Sequence, residues 1–219
     1  MSVHSLMRHP ARPLYLVALS AAVFLAISIS GCRVHTEKGV NGQDQQVQVD
    51  TPFGGVHVNT GQTTAADLGL PIYPGAQLVA DKDNDKSADV HMGFGQWELR
   101  VKAVNYTSAD TQDKVVAFYK KALGRYGNVI ACQENAPVGT PTSTSQGLTC
   151  ANSGKEGAHI KVNGSTDFGD SDGGYQLKAG SPHHQHIVAF KSSAPGQTRF
   201  VLVSLDLPGV TGGSSSGSD

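Results

Sequence analysis

The chain has 219 residues, 38% of them hydrophobic, with 17 Lys and Arg residues against 18 Asp and Glu residues. This formal net charge of −1 is too near neutral to argue for nucleic acid or an anionic lipid surface as a partner, so neither is predicted. The length suits one domain of ordinary size with an extra N-terminal element.

The first 31 residues have the pattern of a secretory signal. Arg8 and Arg12 precede an apolar run over residues 14–29, which only two serines interrupt. This run is 16 residues long, whereas a membrane-spanning helix needs roughly 20 residues. A cleaved signal is therefore favoured over a transmembrane anchor.

The end of that segment carries a specific motif. Residues 29–32, with the sequence Ile-Ser-Gly-Cys, resemble the lipobox of bacterial lipoproteins. In that family a diacylglycerol alkylates the motif cysteine, a peptidase cleaves before it, and the new amine is often acylated, commonly with palmitate. The resemblance implies a signal peptide over 1–31, lipidation of Cys32 and attachment to a membrane. By the same resemblance, Arg33 at the next position implies sorting to the outer membrane. The alternative to a lipobox is an ordinary secretory signal in which the cysteine has no role.

The segment after the cysteine is predicted as a lipidated tether and then a β-hairpin. Residues 32–44 are polar and show no period, which is typical of a tether. Residues 47–50 and 56–59 alternate between apolar and polar side chains around a Pro/Gly turn, which predicts a hairpin. A single domain is expected over residues 45–210.

One helix is predicted, over residues 110–126. Its apolar side chains recur at helical spacing, at Val115, Phe118, Tyr119, Ala122 and Tyr126. Asp110 or Thr111 is expected at the N-cap, and Gly127 is expected to end the helix.

The remaining elements are predicted as short strands. One precedes the helix over residues 99–106, and six follow it over 128–133, 148–151, 159–162, 175–178, 186–191 and 199–207. The last two are nearly continuously apolar, so they are expected near the centre of the sheet, under the helix. Residues 211–219 form a Gly/Ser tail that is expected to be disordered.

A second resemblance covers about half of the chain after the signal. Residues 70–76, Leu-Pro-Ile-Tyr-Pro-Gly-Ala, and the helix segment 114–123 are similar to a motif set that recurs in exported bacterial proteins. Pro74 and Gly75 suit the central positions of a type II turn. The resemblance implies a folded exported domain and transfers no functional residue.

Cys132 and Cys150 remain as a pair once Cys32 carries lipid. Exported compartments are oxidising, so a disulfide is predicted. It would close a loop of roughly 18 residues and contribute about 3 kcal/mol. A catalytic or metal-binding thiol pair is the alternative, but no Cys-x-x-Cys spacing supports it.

The densest cluster of histidines is at residues 183–186. On an extended strand His184 and His186 share one face, which makes them weak candidates for metal ligands. Further ligands would have to come from His57, His91 or His159. A polar strand entrance explains the cluster more simply, so no metal and no other cofactor is predicted.

Other motifs match known sites only in part. Asp81, Asp83 and Asp85 alternate as in a calcium loop, but the glycine and glutamate that the EF-hand requires are missing. Residues 213–217 fit Gly-x-Ser-x-Gly but lie in the tail, where no strand and helix can form a nucleophile elbow.

Three aromatic residues outside the helix have two interpretations. Tyr73, Phe94 and Trp97 could line an apolar groove, but aromatic side chains beside Pro and Gly more often fill a core. No pair of catalytic carboxylates can be assigned, because Glu98, Glu134 and Glu156 are isolated in the sequence.

These patterns predict an α+β fold: an antiparallel sheet with one principal helix packed on one face, preceded by the N-terminal β-hairpin. The expected function is that of a lipid-anchored, periplasm-facing binding or envelope-assembly module that contacts another envelope protein. Two alternatives remain open, an envelope hydrolase whose site forms only in three dimensions and a metal-binding lipoprotein that uses His184 and His186.

Overall fold

The computed structural model describes residues 33–38, 45–79, 86–153, 161–162, 166–167, 174–191 and 195–208. The predicted lipidation site Cys32, the aspartates at 81–85, His159, the Gly-x-Ser-x-Gly motif and the tail 211–219 lie outside these residues.

Thirteen strands are present in the described residues. They are β1 (Arg33–Lys38), β2 (Gln45–Thr51), β3 (Gly54–Thr60), β4 (Gln77–Leu78), β5 (Ser87–Phe94), β6 (Trp97–Ser108), β7 (Ile130–Gln133), β8 (Ala136–Pro137), β9 (Lys161–Val162), β10 (Thr166–Asp167), β11 (Tyr175–Gly180), β12 (His184–Lys191) and β13 (Thr198–Asp206). The α-helix of this part of the chain, α1, spans Gln112–Leu123, and short 3-10 turns span Ala66–Leu68, Gly124–Tyr126 and Cys150–Ser153.

Eleven of the strands form one open antiparallel sheet. Its order is β1-β2-β3-β5-β6-β13-β12-β11-β7-β8, with β4 paired to the end of β6, while β9 and β10 pair separately. Of the described residues, 52% lie in strands and 15% in helix. The predicted α+β class with one principal helix is therefore wrong, because the described residues are mostly sheet and the one α-helix among them is short.

Strand β5 explains most of this difference. It pairs with β3 on one side and with β6 on the other, so the N-terminal hairpin of β2 and β3 continues the main sheet instead of preceding it. Residues Arg33–Lys38, which the sequence assigned to the tether 32–44, form strand β1 at the edge of this sheet. The predicted strand over residues 148–151 is also wrong, because Cys150–Ser153 is a 3-10 turn.

The helix packs on one face of the central strands, which we call the helix face. Val115, Tyr119 and Leu123 are fully buried against apolar side chains of β6, β11, β12 and β13. As predicted, β12 and β13 lie at the centre of the sheet. Thr111 occupies the N-cap position without a side-chain capping bond, and Asp110 instead accepts hydrogen bonds from Tyr73 Oη and Lys114 Nζ.

The Tyr-Pro-Gly-Ala turn is held against this helix. Ala76 N–H donates to the carbonyl of Tyr73 at 3.0 Å, and Gly75 has a φ of 76°, as a type II turn requires. The buried Tyr119 hydroxyl accepts a hydrogen bond from Tyr73 N–H at 3.2 Å and donates to the Pro71 carbonyl at 3.1 Å. Burial raises the pKa of Tyr119, so this hydroxyl keeps its proton.

The predicted disulfide between Cys132 and Cys150 is confirmed, with a Cα–Cα distance of 5.6 Å. It fastens the last 3-10 turn to β7, where both cysteines are buried with Ile130 and Leu148. No helix of the described residues is long and apolar enough to cross a membrane.

Candidate functional site

The helix covers only part of the helix face, and the rest carries polar side chains. Along β6, Arg100, Lys102, Val104 and Tyr106 point to the same side because side chains alternate along a strand. Val104 and Tyr106 are buried in the core with the helix, whereas Arg100 and Lys102 lie in the polar part. The helix face is thus apolar at one end and polar at the other.

The polar part is organised by strand register. One residue from each of seven neighbouring strands lies in a single line across the sheet, and we call this line the histidine row. In order from the edge strand, its members are His35, Gln48, His57, His91, Arg100, Asp206 and His184. At a strand spacing of about 4.8 Å the row is roughly 29 Å long.

Two histidines at the middle of the row each contact a carboxylate. His91 Nε2 lies 2.8 Å from Glu98 Oε1, and His57 Nε2 lies 3.5 Å from Asp50 Oδ1. The two imidazole rings are neighbours, with centroids 6.2 Å apart. The four side chains form a short chain in which two neighbouring imidazoles lie between two carboxylates.

A glycine makes room for one of these contacts. Gly55 lies beside Asp50 in the register, and a Cβ there would meet Asp50 Oδ1 at 3.1 Å and His57 Nε2 at 3.4 Å. Because glycine has no side chain, Asp50 and His57 can lean towards each other across the strand. The row therefore depends on a residue that bears no functional group.

Arg100 is the permanent positive charge of the row. Its guanidinium binds Asp89 through two hydrogen bonds, of 2.8 Å from Nη2 and 3.2 Å from Nε. The hydrogen bonds to Asp89 raise the pKa of Arg100, and the charges of Asp89, Asp206 and Glu98 add to this effect. The two-point contact fixes the orientation of the guanidinium.

His184 closes the row at its far end. Its Nδ1 lies 2.9 Å from Asp206 Oδ1, and its side chain is 75% exposed. An aspartate held on Nδ1 is also how a catalytic triad orients its histidine. Among the described residues, however, no hydroxyl or thiol group hydrogen-bonds to Nε2 of His184.

His186 lies on the same face as His184 but has a different environment. Its ring stacks on Tyr126 with centroids 3.6 Å apart, and Tyr126 Oη donates to the Gly69 carbonyl at 2.6 Å. Burial lowers the pKa of His186, with partial compensation from Asp206 and from a hydrogen bond to the Leu68 backbone. His186 is a packing residue beside Tyr126 of the second 3-10 turn.

The two candidate metal ligands therefore share a face, as expected, without converging. His184 binds Asp206 and His186 binds the Tyr126 ring. Within the described ranges, no group of three or more His, Cys, Asp or Glu residues has the spacing of a metal site.

The three aromatic residues considered for a groove do not come together. Tyr73 is buried beside α1, where its ring packs edge-on against Phe118 at 5.2 Å. Phe94 and Trp97 lie at the β5–β6 hairpin, partly exposed, with ring centroids 6.0 Å apart. Tyr73 thus fills the core, and the other two belong to the surface.

Comparison with known proteins adds no relative: no family model, curated protein or solved structure matches the chain. The function is therefore inferred from the sequence motifs and from the geometry of the histidine row.

Proposed function

We propose that the protein is a lipid-anchored binding module of the bacterial cell envelope. In this proposal Cys32 carries the lipid in the outer membrane, the folded part faces the periplasm, and the histidine row is the surface that contacts another envelope protein. The lipobox motif supports the anchor, and the Cys132–Cys150 disulfide suits an oxidising compartment.

The observation that carries the binding role is the alignment of the histidine row. Seven strands hold its side chains on one continuous sheet, so the groups that a partner would meet are already in position before binding. On the same face, each row residue has a neighbour two positions before it and two positions after it, and these neighbours form one further row on each side. Strand and residue spacings then give the polar area as roughly 29 Å by 20 Å. A standard interface uses about 800 Å² of each partner, so this area can supply most of one contact patch.

The chemistry of the surface indicates what it would bind. The row and its two flanking rows hold five carboxylates, namely Glu37, Asp50, Asp89, Glu98 and Asp206, and three permanent cations, namely Arg33, Arg100 and Lys102. The carboxylates outnumber the cations, and the imidazoles add groups that can donate or accept hydrogen bonds. A partner protein with Lys, Arg and amide groups on its surface fits this pattern best.

Site-specific crosslinking in cells tests the proposal. A photo-crosslinking residue replaces His57 or His91 in the row, and Lys120 on the exposed side of α1 serves as the matched control position. We expect a discrete crosslinked partner from the two row positions and none from the Lys120 position. The product should fade when Cys32→Ala removes the anchor. Equal labelling at all three positions, or no product from the row, would contradict the proposal.

An envelope hydrolase is the second candidate, and the His184–Asp206 pair is the observation in its favour. The purified protein can be assayed with simple ester and amide substrates. Turnover that disappears in His184→Ala but persists in His35→Ala would establish catalysis and replace the binding role.

A further inference from the structure

Three exposed aromatic side chains occupy the tips of two hairpins. Phe53 lies in the turn between β2 and β3, and Phe94 and Trp97 flank the turn between β5 and β6. Their exposed fractions are 84%, 47% and 41%, respectively. Side chains of this size are normally buried, so their exposure at one end of the sheet calls for a physical reason.

The two hairpin tips are neighbours in the sheet. Gly54 pairs with Phe94, and a Cβ on Gly54 would lie 2.6 Å from the Phe94 ring. Phe94 in turn lies beside Trp97, with 6.0 Å between ring centroids. Phe53, Phe94 and Trp97 therefore form one surface, which we call the aromatic tip.

The chain enters the sheet at the same end. Arg33, the residue that follows Cys32, begins β1 and pairs with Asp50, close to the turn that holds Phe53. Four strand spacings separate β1 from β6, so Arg33 and Trp97 are roughly 19 Å apart across the sheet. The proposed lipid and the aromatic tip thus lie at one end of the protein.

We propose that the aromatic tip enters the headgroup region of the membrane that holds the Cys32 lipid. This inference rests on the proposed anchor, and it adds a second point of attachment. Aromatic rings with a polar edge favour the membrane–water interface, and Trp97 has such an edge in its indole N–H. The attachment point one residue before β1 brings the tip to the bilayer and so favours lipid over protein as the occupant.

Two attachment points would set the orientation of the sheet. When the aromatic tip lies in the headgroups, the strands extend away from the membrane. The histidine row crosses the strands, so it runs parallel to the membrane surface. The row crosses the strands only a few residues from the tip, at His57 and His91. A partner that lies on the membrane surface would therefore meet the row along its length.

The electrostatics of this end do not require anionic lipid. Asp50 and Glu98 are acidic and contact His57 and His91, while Arg33 is the basic side chain at the start of β1. The binding would come from apolar burial, so vesicles of zwitterionic phosphatidylcholine are the appropriate probe.

Trp97 provides the measurement, because it is the single tryptophan of the chain. The protein is extracted from cell membranes with its native processing and reconstituted into phosphatidylcholine vesicles that contain a lipid spin-labelled near the headgroup. We expect the emission of Trp97 to shift to the blue, to be quenched by the label and to be shielded from aqueous acrylamide. Emission that acrylamide quenches fully and the lipid label leaves unchanged would overturn the docking.

Phe53→Ser and Ile72→Ser form a matched pair of variants. Ile72 is 54% exposed but lies near the helix, in the segment that Tyr119 holds. Complete burial of a phenylalanine side chain would change the equilibrium between docked and undocked protein roughly tenfold or more. We expect Phe53→Ser to lower the ratio of docked to undocked protein about tenfold and Ile72→Ser to leave it unchanged. Equal effects of the two variants would refute the role of the tip.

The mass of the extracted protein separates the two proposals. Lipid on Cys32 together with an unquenched Trp97 would leave the anchored binding module standing and overturn only the docking. Absence of lipid on Cys32 would overturn both.

Discussion

The Tyr119 hydroxyl offers a sharp test of how the Tyr-Pro-Gly-Ala segment is held. Tyr119→Phe keeps the buried ring and removes one oxygen, which accepts from Tyr73 N–H and donates to the Pro71 carbonyl. Each hydrogen bond contributes about 1 kcal/mol, and a buried group left without its partner costs about 1–3 kcal/mol. We therefore expect the free energy of unfolding to fall by about 2–3 kcal/mol.

Urea unfolding followed by Trp97 fluorescence measures this loss. The midpoint should fall with an unchanged slope, because the surface exposed on unfolding stays the same. Tyr126→Phe is the control: its hydroxyl also bonds a backbone carbonyl, that of Gly69, but at an exposed position where water can replace it. We expect a loss of less than about 1 kcal/mol there. Equal midpoints for wild type and Tyr119→Phe would refute the reasoning.

Three further predictions concern pH, the disulfide and metal. Burial lowers the pKa of His186 in the folded state, so unfolded protein binds the proton more readily and stability should fall as the pH drops below about 6.5. In thermal melts, the loss of stability between pH 7.5 and 5 should be smaller in His186→Phe than in wild type. A loss in His184→Asn equal to that of wild type would assign the effect to His186. Identical curves for wild type and His186→Phe would contradict the role of His186. Replacing Cys132 and Cys150 together with alanine should cost about 3 kcal/mol of stability in urea, and stability equal to wild type would contradict the structural role of the bridge. Zinc should leave the melting temperature unchanged, because His184 and His186 have separate partners. A rise of several degrees that His184→Ala and His186→Ala each abolish would show that the two histidines bind metal.

Several elements can be predicted from the sequence because their signals are local. The helix is marked by apolar side chains at helical spacing, and Gly75 marks a turn that needs positive φ. The apolar runs of β12 and β13 indicate central strands, and they lie at the centre of the sheet. The disulfide could be predicted because the expected exported compartment is oxidising and the expected lipidation of Cys32 leaves two cysteines.

Strands β5 and β1 were missed for different reasons. In β5 the alternation is complete, since Ala88, Val90, Met92 and Phe94 share one side and Asp89, His91 and Gly93 the other, so the sequence does carry a signal for this strand. In β1 a single apolar residue, Val34, stands among polar ones. Edge strands commonly have such a polar composition, because it prevents edge-to-edge aggregation. The sequence therefore lacks the alternation by which a strand is predicted.

The histidine row could not be predicted because it depends on register. The sequence shows His57 and His91 only as separate histidines. Their contact requires β3 to pair with β5, and β5 was not predicted. Arg100 and Asp206 are 106 positions apart in the numbering and face each other only because β6 and β13 are neighbours. A shift of one residue in any pairing would move the side chains of that strand to the other face.

The intact mass of the protein extracted from cell membranes tests the account most directly. We predict a chain that begins at Cys32 and carries a diacylglycerol thioether, with or without an acylated amine, and with the Cys132–Cys150 bridge intact. A chain whose Cys32 is unmodified, or whose first residue lies elsewhere, would contradict the membrane anchor and the binding role that depends on it.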